Sequence, residues 1–181
     1  EAAGFLLLIF GLLVWLSLIS YHPGDPSWNA ATGERPTNLI GPFGSHIADL
    51  ALQVFGLPAL ALPVLLVLVA YNLVRSRRPV APVGKIGGFL LLVTTAGAAL
   101  ALGPEWRIMD LPASGLLGLL VADLLRAWFN TTGAAIVLGA MAIGSLYLVS
   151  GFSFYAVAPA MRRLRAWWRG WRLPRRRARK S

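Results

Sequence analysis

"GPFGSHIADLALQVF", residues 41–55, is the stretch on which the fold turns. As a helix its fifteen residues rise about 22 Å, too short to cross a hydrocarbon core of about 30 Å upright. Phe43, Ile47, Leu50, Val54 and Phe55 recur at helical spacing, with Ser45, His46, Asp49 and Gln53 towards the other side. That pattern predicts an amphipathic helix lying in the membrane interface, or half inserted. It returns as "GLLGLLVADLLRAWF", residues 115–129. Gly41, Gly44, Ala48, Asp49, Leu50 and Phe55 match Gly115, Gly118, Ala122, Asp123, Leu124 and Phe129 at one constant offset. Mid-bilayer charge costs about 2.5–3.5 kcal/mol, and much less near the interface. Asp49 and Asp123 are therefore expected at shallow depth, with hydrated carboxylates that accept hydrogen bonds from a loop or a helix N-terminus.

Outward from these segments lie four uncharged runs of spanning length: Ala2–Ser20, Leu57–Val74, Ile86–Leu102 and Thr132–Ser150. Backbone polar groups in lipid must be satisfied internally, so each is predicted as a transmembrane helix. Pro58 fits the first turn of its helix, and Pro63 is expected to kink it. Asn130, Thr131 and Thr132 read as breaker and cap before the last span. "YHPGDPSWNAATGERPTN" and "GPEWRIMDLPAS" are dense in turn residues and should be loops outside the bilayer. Each unit then reads span, loop, shallow helix, span. The fold class is an all-α membrane protein of four transmembrane helices with two short interfacial or re-entrant helices on the periplasmic side. Repeat one covers residues 1–74 and repeat two 86–150, as parallel repeats about an axis along the membrane normal.

Of the residues, 57% are apolar and only 13% charged, well below the roughly 25% charged of soluble domains. The formal net charge is +10. Arg75, Arg77, Arg78 and Lys85 lie between spans two and three, and ten more cations follow span four, so both termini are predicted to be cytoplasmic. Residues 1–158 form the four-helix domain, and 159–181 a basic juxtamembrane tail and the start of a linker. In the tail Met161, Leu164, Trp168 and Trp171 share a face, with Arg162, Arg163, Arg165, Arg169 and Arg172 as headgroup or linker residues. Anionic lipid headgroups are its first predicted partner, at about 1 kcal/mol per basic residue. DNA contact through "RLPRRRARK" is the other. Glu1 in place of Met, and an end within a basic run, read as a piece of something longer. No cleavage site of signal-peptide type follows the first run.

Candidate chemistry is thin. The chain has no cysteine, which removes disulfides and thiolate sites. His22, Asp25, Ser27, His46 and Asp49 match no metal or triad spacing, and loop and capping roles account for them. An outer-face enzyme centred on His22 and His46 is the weakest of the readings considered. Ser145 follows Gly144, but no span carries a His to activate it. "PVGKI" around Lys85 resembles a phosphate loop without its first Gly or its Ser/Thr. Ala140 to Gly144 and Gly84 to Gly88 have small-residue packing spacing. The spans hold no Asp, Glu, Lys, Arg or His, and Asn72, Thr94 and Thr95 make a poor pathway for cargo. The sequence therefore favours an anchor over a transporter. It predicts no catalytic residue, cofactor or metal.

Ser20, Tyr21, Asp25, Pro26 and Ser27, then Asn38, Gly41, Gly44, Ala48, Asp49, Phe55 and Gly56, form a combined motif. It resembles the N-terminal four-span domain of the FtsK/SpoIIIE DNA translocases, over roughly Gly4 to Ala158. Ser45 and His46 depart from that family's commoner small apolar residues. The resemblance implies a septal module of a bacterial inner membrane that anchors, oligomerises and contacts other division proteins. By the same resemblance such a module would serve a translocase in cell division and chromosome segregation, and would reach DNA only through a motor outside this chain. Gly41, Gly44, Asp49, Gly115, Gly118 and Asp123 are the expected structural or interaction residues. The alternative function is a small multipass channel or transporter with its pore between subunits.

Overall fold

The computed structural model describes residues 2–30, 32–33, 35–74, 82–104, 106–108 and 111–150. The basic tail and Arg75, Arg77 and Arg78 lie outside the described residues. Helix α1 (Ala2–Ile19) leads through a long loop to α2 (Gly41–Phe55). A 3-10 segment (Leu57–Ala61) runs into α3 (Leu62–Val74), and α4 (Pro82–Leu102) follows. A two-residue β pairing, β1 (Arg107–Ile108) with β2 (Leu111–Pro112), precedes α5 (Gly115–Ser150). Three helices are long and apolar enough to cross a membrane: Ala2–Ile19, Gly84–Leu102 and α5, with Leu57–Tyr71 as a shorter apolar helix.

The predicted spans and shallow helices recur with two adjustments. The second span opens as 3-10 helix and becomes α-helical at Leu62, so Pro63 stands at the start of the regular helix and not inside it. A missing N–H is harmless there, and the expected internal kink is replaced by a change of helix type. The fourth span is continuous with the second shallow helix, and Asn130 (φ 55°, ψ 179°) breaks them apart. The β pairing had no forecast.

Helix α1 packs along α3 and against α2. Val14, Leu18, Ala48 and Ala59 form one buried cluster, joining α1, α2 and the 3-10 segment. Ala98, Ala122 and Leu138 form another, joining α4 to both halves of α5. Gly88 of α4 meets Leu148 and Ser145 closely enough that a Cβ would clash, whereas Gly84 and Gly144 have open space around them. Of the three glycines in the small-residue pairs that the sequence pointed to, only Gly88 therefore serves a helix contact.

Every described residue with φ near +60° falls at Gly41, Gly56, Gly115 or Asn130. They form two pairs, Gly41 with Gly115 and Gly56 with Asn130, at the same offset as the sequence match. Each shallow helix thus starts and ends on a left-handed residue, which favours Gly and tolerates Asn.

Candidate functional site

The loop end of the first unit is held by two carboxylates. Asp25 is buried and accepts three hydrogen bonds: from the Thr37 N–H (2.7 Å), the Thr37 hydroxyl (2.8 Å) and the Asn38 N–H (2.9 Å). Burial alone would raise its pKa. The bonds from Thr37 and Asn38 outweigh it and hold the carboxyl below its ordinary value, with a smaller contribution from His22. A depressed folded pKa means stability that is present at neutral pH and lost as pH falls through that value.

Asn38, placed by Asp25, ties two helices together. Its side-chain amide donates to the Ser17 (2.9 Å) and Ser20 (3.3 Å) carbonyls at the end of α1, and its Oδ1 accepts the Ile40 N–H (3.1 Å) before α2. Helix ends leave such groups unpaired, and a buried end needs partners for them. The Ser20 hydroxyl completes the turn by accepting from Leu39 N–H at 3.1 Å. Gly44 packs under this junction. A Cβ there would collide with Asn38 Oδ1, Ile40 Cβ and Ser17 Oγ.

Asp49 is the second carboxylate and is 5% exposed. It accepts from Gln53 Nε2 (2.9 Å), the Tyr21 hydroxyl (3.2 Å) and Asn29 Nδ2 (3.4 Å). Burial and the adjoining Asp49 carboxylate push the Tyr21 pKa up to about 12, with a smaller push from Asp25. The sequence expectation of a hydrated Asp49 is therefore corrected. The polar side of α2 turns inward beneath the loop, and Phe43 and Leu50 point outward. Ser45 follows the same rule, donating to the Pro26 carbonyl at 2.7 Å. A carboxylate with three donors tolerates removal from water, because each bond offsets part of the lost hydration.

Asp123, at the matching position, is arranged differently. Its side chain is 70% exposed, with one ion pair, to Arg126 at 3.4 Å. Arg126 also donates to the Ala101 carbonyl at 2.7 Å, near the end of α4. Gly118, matching Gly44, presses on the backbone of Gly97 in α4.

The two units meet at a glycine junction. A Cβ on Gly56 would strike Ala113 O and Gly115 N, and one on Gly115 would strike Gly56 N and Phe55 C. The β pairing feeds it: Ala113 N–H donates to Trp106 O, and Ala113 O accepts from Leu57 N–H, both at 2.8 Å. The long loop and the hairpin thus converge on the ends of α2 and α5. Beside the junction is a cavity of about 290 Å³, lined by residues that include Leu18, Tyr21, Leu57 and Leu111.

Among the described residues no three His, Cys, Asp or Glu come together as a metal site. His22 Nδ1 accepts the Gly24 N–H, and His46 Nδ1 lies 2.6 Å from the Pro42 carbonyl with its ring edge-on to Trp28. The Ser145 hydroxyl donates to Ala142 O. Asp25 and Asn38 are the residues whose weight sequence reasoning missed. It placed both in a motif, gave Asp25 only a loop or capping role, and gave Asn38 none. Their signal was two polar residues of the loop that had to sit beside the end of an apolar helix.

The chain matches, over residues 1–162, the family described as the 4TM region of DNA translocase FtsK/SpoIIIE. It belongs to that family. Among curated relatives, the DNA translocase FtsK of Azospirillum brasilense is 32% identical over 76% of this chain and 22% of its own length. The DNA translocase FtsK of Rickettsia typhi is 33% identical over 72% of this chain and 17% of its own length. That of Rickettsia prowazekii is 29% identical over 69% and 16%. The chain therefore spans about a fifth of the length of these relatives. No solved structure matches it. The long apolar helices and the FtsK family together make it a membrane protein, and the four predicted spans agree with the family's description.

Proposed function

We propose that this chain is the membrane anchor, oligomerisation and division-protein interaction module of a septal DNA translocase. The observation that carries this reading is the family match, which covers most of the chain but a fifth of the FtsK relatives. The motor that moves DNA then belongs to the part of such proteins outside this region. Orientation follows from charge: cations flank the α3–α4 connection and the tail, and every acidic residue except Glu1 lies on the loop side. Both termini are then cytoplasmic, in a bacterial inner membrane, and the loop end is periplasmic.

The same reading takes residues 1–74 and 86–150 as parallel repeats. Its support is the shared offset of the sequence match, the left-handed residue pairs and the close-packed Gly44 and Gly118. Gly41, Gly44, Asp49, Gly115, Gly118 and Asp123 brace the loop end on which partners dock, and the arginines of the tail hold the inner leaflet. The test is to express this chain, fused to a fluorescent protein at its cytoplasmic C-terminus, in dividing bacteria. It should gather at midcell and crosslink to itself. A uniform membrane distribution with no self-crosslinking would overturn the module.

A further inference from the structure

The first half of α5 carries an apolar stripe that nothing among the described residues covers. Leu116, Leu120 and Leu124 recur every fourth residue and are all exposed, and Trp128 at the end of the stripe is 78% exposed. Helix α2 leaves a smaller apolar surface, chiefly Phe43 and Leu50, because the long loop folds over its other side.

Contacts with α4 give the depth of this half-helix. Gly118 lies against Gly97, Ala122 clusters with Ala98, and Arg126 reaches Ala101 O. From Gly118 to Arg126 is about 12 Å along one axis, but Gly97 to Ala101 is only about 6 Å along the other. With α4 upright, the half-helix rises towards the loop end of α4 as it runs from Gly118 to Arg126, its N-terminal end the deeper. Gly97 lies about 8 Å below the end of α4 at Leu102, which is the depth at which interfacial helices bury their apolar faces. The bare stripe also continues into the exposed flank of the span that follows, at Ile136, Ile143 and Leu146. Asp123 and Arg126 sit towards the shallow end, paired to each other near the end of α4.

We propose that the first half of α5 is a re-entrant element, immersed N-terminal end first in the leaflet at the loop end, with Leu116, Leu120 and Leu124 against lipid acyl chains. It rests on the reading of this chain as a membrane domain and holds for either orientation. The two shallow helices then differ in partner: α2 is roofed by protein, and its counterpart is solvated by lipid.

The cysteine-free chain allows a direct test. Nitroxide labels are placed on Leu116→Cys, Leu120→Cys and Leu124→Cys of the full chain in phosphatidylcholine–phosphatidylglycerol vesicles, and relaxation by oxygen is compared with relaxation by a water-soluble nickel chelate. Leu8→Cys in α1 reports that the spans are inserted, and Gly33→Cys, with open space around it, reports water. All three labels should favour oxygen, and Leu116 should read deeper than Leu124. Ala127→Cys, a small-for-small change on the same exposed side, should read the shallowest. Labels that favour nickel would place the stripe in water and overturn the proposal. Labels shielded from both reagents would mean a protein cover, such as a second copy, and would overturn it too. A Leu8 label that favours nickel would instead defeat the membrane reading itself.

Discussion

Asp49 and Asp123 occupy matching positions in matching helices, yet they live in opposite surroundings. Asp49 is 5% exposed with three donors, and the Asp123 side chain is 70% exposed with one arginine. The cause lies outside the helices. Twenty-one residues connect α1 to α2, enough to fold Tyr21, Asn29 and Pro26 over the polar side of α2. The connection from α4 to α5 is shorter and is spent on a hairpin that serves the glycine junction. One helical plan therefore yields a closed, polar-cored end in the first unit and an open end in the second. A repeated motif fixes backbone shape, and the variable loop decides what its side chains do.

The largest expected effect comes from the element that joins the two units. Gly115→Ala adds a Cβ against the backbone of Phe55 and Gly56 at a φ of +64°. Strain and overpacking together should cost about 3 kcal/mol or more. Gly41→Ala sits at nearly the same φ, +71°, with nothing within 4 Å. It should cost only the left-handed strain, about 1–2 kcal/mol. SDS-driven unfolding in bicelles, followed by tryptophan fluorescence, gives both. Equal losses would mean that backbone strain alone matters and that the junction is not a tight contact.

The carboxylate pair comes next. Asp49→Asn keeps one acceptor but turns an amide N–H₂ towards donors, either the Asn29 amide or the Tyr21 and Gln53 groups. The buried mismatch should cost about 1–3 kcal/mol. Asp123→Asn removes an exposed ion pair and should cost less than about 1 kcal/mol. The same unfolding assay compares them. A loss at Asp123 equal to that at Asp49 would show that the second carboxylate also has a buried partner, and the contrast between the units would fall.

Much of this was legible in the residues. The constant offset marked both shallow helices, and the break at Asn130 was visible because the matching position is Gly56, before a new span. Which way α2 faces was not legible. An amphipathic pattern says that one side is polar, not that the polar side is in water. That side turned inward because a distant loop supplied its donors, and no local periodicity carries that information. The hairpin was hidden for a similar reason: two residues per strand are too few for alternation to register. The Gly56–Gly115 contact was hidden because each glycine had a local explanation at a helix end. Their mutual approach depends on how the two units pack.

One further effect, small in size, has the opposite sign. Asn130 and Gly56 hold the same place in the two units, between a shallow helix and a span, with φ of 55° and 65°. The ψ of Asn130, 179°, puts it in a region that glycine enters freely and other residues enter at about 1–3 kcal/mol. Asn130→Gly should therefore stabilise the protein, by about 1 kcal/mol once the extra freedom of glycine in the unfolded chain is deducted. Asn130→Ala should destabilise it, since alanine lacks the local hydrogen bonding that lets asparagine visit left-handed conformations. If glycine instead lowers stability, the asparagine side chain is making a bond that outweighs its backbone strain. The second unit would then have replaced glycine's freedom with a specific contact, and the two breaks would be alike in shape but not in cause.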